Sequence, residues 1–262
     1  MALQHLRIGT AGWSIPSRYA AQAPGGGAHL ERYARRLNAV EINSSFHRPH
    51  QRKTYERWAR ATPAGFRFAV KVPKAITHEA RLADCEALLD RFAGEVTGLG
   101  GKLSVLLVQL PARDAFDARV ADRFFMDLRQ RLDVSVALEP RHASWFDPNV
   151  NAWLIERRIA RVAADPARVA GAGEPGGWPD LAYYRWHGAP RIYYSDYDAD
   201  ALSTLKRRLQ QSRQQGASVW CIFDKTASGA ALGNALQIMG LPPVTAIVAP
   251  DTKLDSGSAS IT

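Results

Sequence analysis

Polar side chains end one apolar run after another in this chain. The runs are Val40-Glu41-Ile42-Asn43, Phe68-Ala69-Val70-Lys71, Leu106-Leu107-Val108-Gln109, Val136-Ala137-Leu138-Glu139 and Tyr183-Tyr184-Arg185-Trp186-His187. Desolvating an unpaired charge is costly, so repeated polar ends on otherwise buried strands imply side chains converging on one site. Glu41 and Glu139 suit general acid and base work, because a carboxyl beside a cation and one in an apolar wall acquire separated pKa values. His187 shares its strand face with Arg185 and can transfer protons near neutral pH. Lys71, Arg141 and Arg185 suit a phosphate or carboxylate, while Asn43 and Gln109 suit orienting roles. A desolvated Lys71 would also be a nucleophilic amine, although nothing in the sequence requires covalent chemistry. The plainer alternative is internal: Glu41 and Glu139 as ion-pair partners of Lys71, Arg141 or Arg185, and His142 bonded to its own loop.

Aromatic residues stand near the same ends. Trp13, Phe46 and Trp145 lie just beyond apolar runs, and Tyr193, Tyr194 and Tyr197 crowd a later loop. Rings at a pocket rim stack on sugars or bases, or they cap the core. Trp13 and Trp145 are the candidate ligand contacts among them. Glu139, Asp165 and His187 end consecutive runs and have the chemistry of a divalent-ion site. Lys71, Arg141, Arg185 and Lys225 would surround such an ion with like charge, so no metal or cofactor is expected. Walker, nucleophile-elbow, dinucleotide and zinc-finger patterns do not occur.

These residues need a scaffold that brings distant strand ends together. Eight strand-like runs lie near residues 7–12, 38–43, 66–71, 103–109, 134–139, 160–165, 181–187 and 217–223. Helical periodicity marks 29–37, 50–61, 81–99, 115–131, 148–158, 200–215 and 229–239. Asp117 and Asp147 stand at plausible helix starts, and Gly240 follows a helix end. Strand ends recur about every 30 residues, the size of a βαβ unit, and eight such units make a TIM barrel. The predicted fold is therefore a (β/α)8 TIM-barrel-like single domain over residues 1–250, followed by a mobile tail at 251–262. Helix 6 is expected to be replaced by a loop, because residues 166–179 are too rich in Gly and Pro. Parity puts Glu41, Asn43, Ala69, Lys71, Ala137, Glu139, Arg185 and His187 on the inner face, with Val40, Ile42, Val70, Val136 and Leu138 facing the helices. The polar residues then gather at the C-terminal mouth, where barrels of this kind carry their chemistry.

Composition narrows the classes. The 262 residues are 46% hydrophobic and 23% charged, as in globular proteins. No apolar run reaches a membrane span, and the first residues do not read as a signal peptide, so a cytoplasmic protein with no membrane partner is expected. Cys85 and Cys221 lack metal-ligand spacing and read as buried thiols. The net charge of +9 invites a nucleic-acid reading. Much of it sits on helical stretches such as Arg32-Arg35-Arg36, Arg157-Arg158 and Lys206-Arg207-Arg208, where a solvated helix face is the plainer account.

Six segments in order resemble the YecE-like family, a domain of unknown function. They are Ile8 to Trp13, Val40 to Phe46, Phe66 to Pro73, Gln109 to Pro111, Glu139 to Trp145 and Arg185 to Gly188. The resemblance runs from about residue 7 to 240. It implies a TIM-barrel-like fold with a polar pocket at the strand ends, and no established reaction. Two positions depart from the family pattern: Phe223-Asp224-Lys225 replaces a Phe-Asn-Asn segment, and His47 stands where tyrosine is usual. The leading expectation is an enzyme of hydrolase or lyase type acting on a small anionic substrate of phosphorylated or nucleotide-like kind, with Glu41, Glu139 and His187 as acid–base groups. Asn43, Lys71, Gln109, Arg141, His142, Arg185, Trp13, Trp145 and Asp224 are its expected binding residues. The alternatives are a nucleic-acid-binding or processing protein and a noncatalytic ligand sensor or scaffold.

Overall fold

The computed structural model describes residues 6–23, 25–189, 191–224 and 229–240. The expected tail at 251–262 and Lys225 lie outside them. Strands and helices alternate: β1 (Leu6–Thr10), α1 (His29–Ala34), β2 (Ala39–Ile42), the single-turn α2 (Ser44–His47), α3 (Arg52–Arg60), β3 (Arg67–Lys71) and α4 (Glu86–Val96). There follow β4 (Leu103–Gln109), α5 (Ala118–Arg131), β5 (Ser135–Glu139), α6 (Pro148–Glu156), β6 (Ile159–Arg161), β7 (Ala163–Asp165) and β8 (Gly176–Gly177). The last elements are β9 (Leu181–Trp186), α7 (Ala199–Gln214), β10 (Ser218–Phe223) and α8 (Ala230–Ile238).

Two parallel sheets arise from this order, β1-β10-β9-β7 and β2-β3-β4-β5-β6, with the two-residue β8 antiparallel on the edge of β6. The predicted sixth strand is real but divides at Val162. Its first half pairs with β5 and its second with β9, so one chain segment passes from sheet to sheet. At the other junction Ala11 bridges Glu41, and the Gly12 amide donates to the Glu41 carbonyl at 2.8 Å. The strands thus succeed one another around a TIM-barrel-like ring with two seams.

Both faces of the ring are apolar, as parity required. Val40, Ile42, Val70, Val136 and Leu138 pack outward with the helices. Inside, Ala39, Ala69, Ala137 and Ala160 from one sheet meet Tyr183 and Trp220 from the other, whose rings stack at 5.9 Å. Small residues on one wall make room for large rings on the other, the complementary filling that gives protein interiors their density.

Local chemistry sets the element ends. Asp117 accepts from the Arg119 and Val120 amides to cap α5, and Asp147 accepts from Asn149 to cap α6, whose first residue is proline. Residues 166–180 form turns and β8 but no helix, as their Gly and Pro content implied. The helix expected from residue 81 starts instead at Glu86, since Arg81, Leu82 and Asp84 have φ of 52°, 68° and 46°. That left-handed backbone is incompatible with a helix, and the turn places Arg81 on Asp114 at 2.7 Å. Cys85 and Cys221 are buried free thiols, as expected. No helix among the described residues is long and apolar enough to cross a membrane.

Candidate active site at the strand ends

Arg185, near the end of β9, is 1% exposed and reaches across the ring. Its Nε and Nη2 grip the two Glu41 oxygens at 3.0 and 2.8 Å, and its Nη1 donates to Glu139 Oε2. Nη2 also donates to Asp224 Oδ2 at 3.2 Å. Tyr183, two residues earlier on the same face, donates to Glu41 Oε2 at 2.7 Å. Glu41 is fully buried, with both oxygens occupied. Burial works against the Arg185 charge, but Glu41, Glu139 and Asp224 more than offset it and raise the guanidinium pKa well above its ordinary value.

A second chain of contacts starts from β3. Lys71 Nζ donates to Gln109 Oε1 at 2.6 Å, and Gln109 Nε2 donates to Glu139 Oε1 at 2.8 Å. Arg141 Nη2 donates to the same oxygen at 3.3 Å, and His187 Nε2 stands 3.8 Å from it. Burial pushes the Glu139 carboxyl upward, yet Arg185 above all, then His187, Arg141 and the Gln109 amide hold it down at about 2. Lys71 behaves oppositely: burial first, then the Arg185 charge, lowers its ammonium to about 8 against the pull of Glu139, Glu41 and Asp224. The Nζ also lies 3.9 Å from the centre of the Phe46 ring. His187 Nδ1 meets Asp224 Oδ2 at 3.1 Å, so Asp224 turns into the site and bears on both Arg185 and His187.

This network joins the two sheets. Glu41, Lys71, Gln109 and Glu139 end the strands of one; Arg185, His187 and Asp224 belong to the ends of the other. Beside it opens a cleft of about 530 Å³ lined by Trp13, Ser14, His29, Asn43, Ser44, His47 and Asp224. The Asn43 side-chain oxygen is buried there without a hydrogen-bond partner among the described residues. Trp13 borders the cleft with its ring edge-on to Trp58. A second, narrow pocket is lined by Glu139, Arg141, His187 and Tyr193.

Of the residues singled out in the sequence, Glu41, Lys71, Gln109, Glu139, Arg141, Arg185, His187 and Asp224 share the network, and Trp13 and Asn43 line the cleft. Trp145 does neither. It is 2% exposed, packs edge-on against Phe116 and Trp153, and donates to the Asp114 carbonyl at 3.0 Å, because the turn after β5 folds it into the outer core. His142 caps the short 3-10 turn Ala143–Phe146, its Nδ1 accepting from the Ser144 amide at 3.2 Å. Tyr183 was missed, although it alternates with Arg185 and His187 along one strand face. His29 was also missed, because a residue at a helix end carries no periodic signal. Among the described residues no three His, Cys, Asp or Glu side chains form a ligand set; Asp165 instead accepts from the Tyr197 hydroxyl at 2.7 Å.

Comparison with known proteins agrees with this architecture. The family described as "Protein of unknown function DUF72" matches residues 7–251. The UPF0759 protein YecE of Escherichia coli is 29% identical over 170 residues, 63% of this chain; the match spans 61% of that relative's length. The UPF0759 protein YunF of Bacillus subtilis is 24% identical over 89% of this chain and 93% of its own. A crystal structure of a DUF72 family protein from Enterococcus faecalis superposes with a TM-score of 0.75 at 23% identity, covering 90% of this chain and 94% of that one. A sugar phosphate isomerase/epimerase from Parabacteroides distasonis shares the fold at a TM-score of 0.54 and 10% identity, over 88% of this chain and 93% of that one.

Proposed function

The chain belongs to the DUF72 family of proteins of unknown function, and on that footing we propose that it is an enzyme of hydrolase or lyase type acting on a small anionic substrate at the strand-end mouth. The observation that carries this reading is the convergence of Glu41, Lys71, Gln109, Glu139, Arg185, His187 and Asp224 from six strand ends into one network beside an open cleft. Stability alone does not favour such a cluster, because buried ion pairs are seldom better than apolar packing.

The geometry divides the labour. Arg185 and Glu41 are too buried and too fully bonded to touch substrate, and act as positioning residues. Glu139, held ionised, serves as base or charge stabiliser rather than as an acid at neutral pH. His187, oriented by Asp224 as metal-free acid–base histidines commonly are by a carboxylate, is the proton-transfer group. Arg141, with a side chain 22% exposed and lining the narrow pocket beside Glu139 and His187, is the cation that meets the anion. Several of the surface arginines are occupied locally, Arg157 with Asp122, Arg208 with Glu174 and Arg32 with the Ala20 and Ala23 carbonyls. That weakens the nucleic-acid reading.

Thermal-shift screening of wild type and Arg141→Ala against phosphosugars, nucleotides, organic acids, divalent metals and short oligonucleotides, at low and moderate salt, tests the proposal. A small anion at about 100 times its Kd should stabilise wild type by roughly 2.7 kcal/mol and the variant by much less. Shifts with oligonucleotides alone, steeply salt-dependent and unchanged in the variant, would instead assign function to the basic surface.

A further inference from the structure

We propose that the Lys71 amine is a nucleophile that condenses with the carbonyl carbon of a small anionic aldehyde or ketone, such as a 2-oxo acid, to form an imine. The inference deepens the proposed function, since it names a substrate class for the same site.

It rests on how Lys71 is held. A buried lysine ordinarily finds a carboxylate, and three lie in this network. None lies within 4.0 Å of Lys71 among the described residues, while Arg185 has Glu41, Glu139 and Asp224, and Arg141 has Glu139. Gln109 is the reason. Its amide oxygen accepts from Lys71 while its NH2 donates to Glu139, so a neutral spacer separates the amine from the carboxylate it would otherwise neutralise. The Glu139 oxygens are taken by Arg185 on one side and by Gln109 and Arg141 on the other. Ser45 fixes the backbone beneath by donating to the Lys71 carbonyl at 2.8 Å. The charged groups acting on the amine are Arg185, Glu139, Glu41 and Asp224, and His78 beyond them feels its charge in turn. Burial and Arg185 prevail, and the ammonium loses its proton at about 8. A lysine both desolvated and beside a fixed cation is the arrangement that yields a nucleophilic amine near neutral pH.

The step balances without an oxidant or reductant. The nitrogen lone pair forms the N–C bond as the carbonyl π pair moves to oxygen, and both amine hydrogens leave with that oxygen as water. Once protonated, the imine accepts the electron pair of an adjacent C–C or C–H bond, which is lyase-type chemistry. Hydrolysis returns the amine. Arg141 is placed to hold the substrate's anionic group.

The test is reductive trapping: the folded protein with glyoxylate and cyanoborohydride, mapped by peptide mass spectrometry from pH 6 to 10. Lys71 should be modified about tenfold or more faster than the exposed Lys53 and Lys206 at pH 8. Its rate should level off above about pH 8. Gln109→Glu should restore the charge on Lys71 and slow its trapping at pH 8, with circular dichroism confirming the fold. Uniform labelling of all lysines, or labelled surface lysines with Lys71 untouched, would overturn the imine. If small anions still stabilise the protein through Arg141 in that case, the acid–base reading survives alone.

Discussion

Glu139 shows how one residue's surroundings decide its chemistry. Its carboxyl lies at about 2 against an ordinary 4.5, so between those values the unfolded chain binds a proton that the folded chain does not. Its contribution to stability is therefore complete above about pH 4.5 and lost as pH falls toward 2, about 3 kcal/mol in all. Glu139→Gln should cost a similar amount at pH 7, and urea unfolding across a pH series should show the two proteins converging toward pH 2. A gap that stays constant with pH would mean that the loss is packing and not charge. Strand parity made Glu41, Lys71, Glu139, Arg185 and His187 legible in the sequence, because a polar residue at the end of a buried run has few reasons to be there. The pairing was not legible. That Arg185 grips Glu41, Glu139 and Asp224, and that Gln109 stands between Lys71 and Glu139, depends on reach across a ring that periodicity does not encode. Trp145 misled for a related reason, since its position after a strand says nothing of which way the following turn folds.

Among the elements, β1 and β2 approach so closely that side-chain size decides whether they can. A Cβ on Gly9 would overlap the Ala39 carbonyl, which is backbone and has no room to withdraw. Gly9→Ala should destabilise the protein by about 2 kcal/mol or more, seen as a lower Tm. An unchanged Tm would show that this seam yields freely. The eight strands and the missing sixth helix were legible from spacing and from the Gly and Pro content of 166–179. The division at Val162 was not, because residues 159–165 form one unbroken apolar-leaning run. The bend there reflects which neighbour each half pairs with, β5 or β9, a long-range choice that local sequence does not carry. The false helical start at Arg81 has a local cause: a periodic pattern does not reveal three excursions into left-handed backbone within four residues.

For the molecule as a whole, the seam from β1 to β2 is slight, one bridge and one amide, while the buried side chains nearby span it firmly. Arg185 and Tyr183 from one sheet hold Glu41 from the other, and Arg185 holds Glu139 as well. Protonating Glu139 should loosen the junction before the apolar layers melt. Hydrogen exchange at the Gly12 amide should then accelerate with acid, relative to the intrinsic rate, earlier than exchange in β4 at the centre of its sheet. Simultaneous acceleration of both would show that the ring opens only by global unfolding. The candidate site is thus also the fastener of the two sheets. Anything that alters charge between Arg185 and its carboxylates changes how tightly the sheets close, so occupancy of the site can be sensed at a backbone amide on the rim with no turnover measured at all.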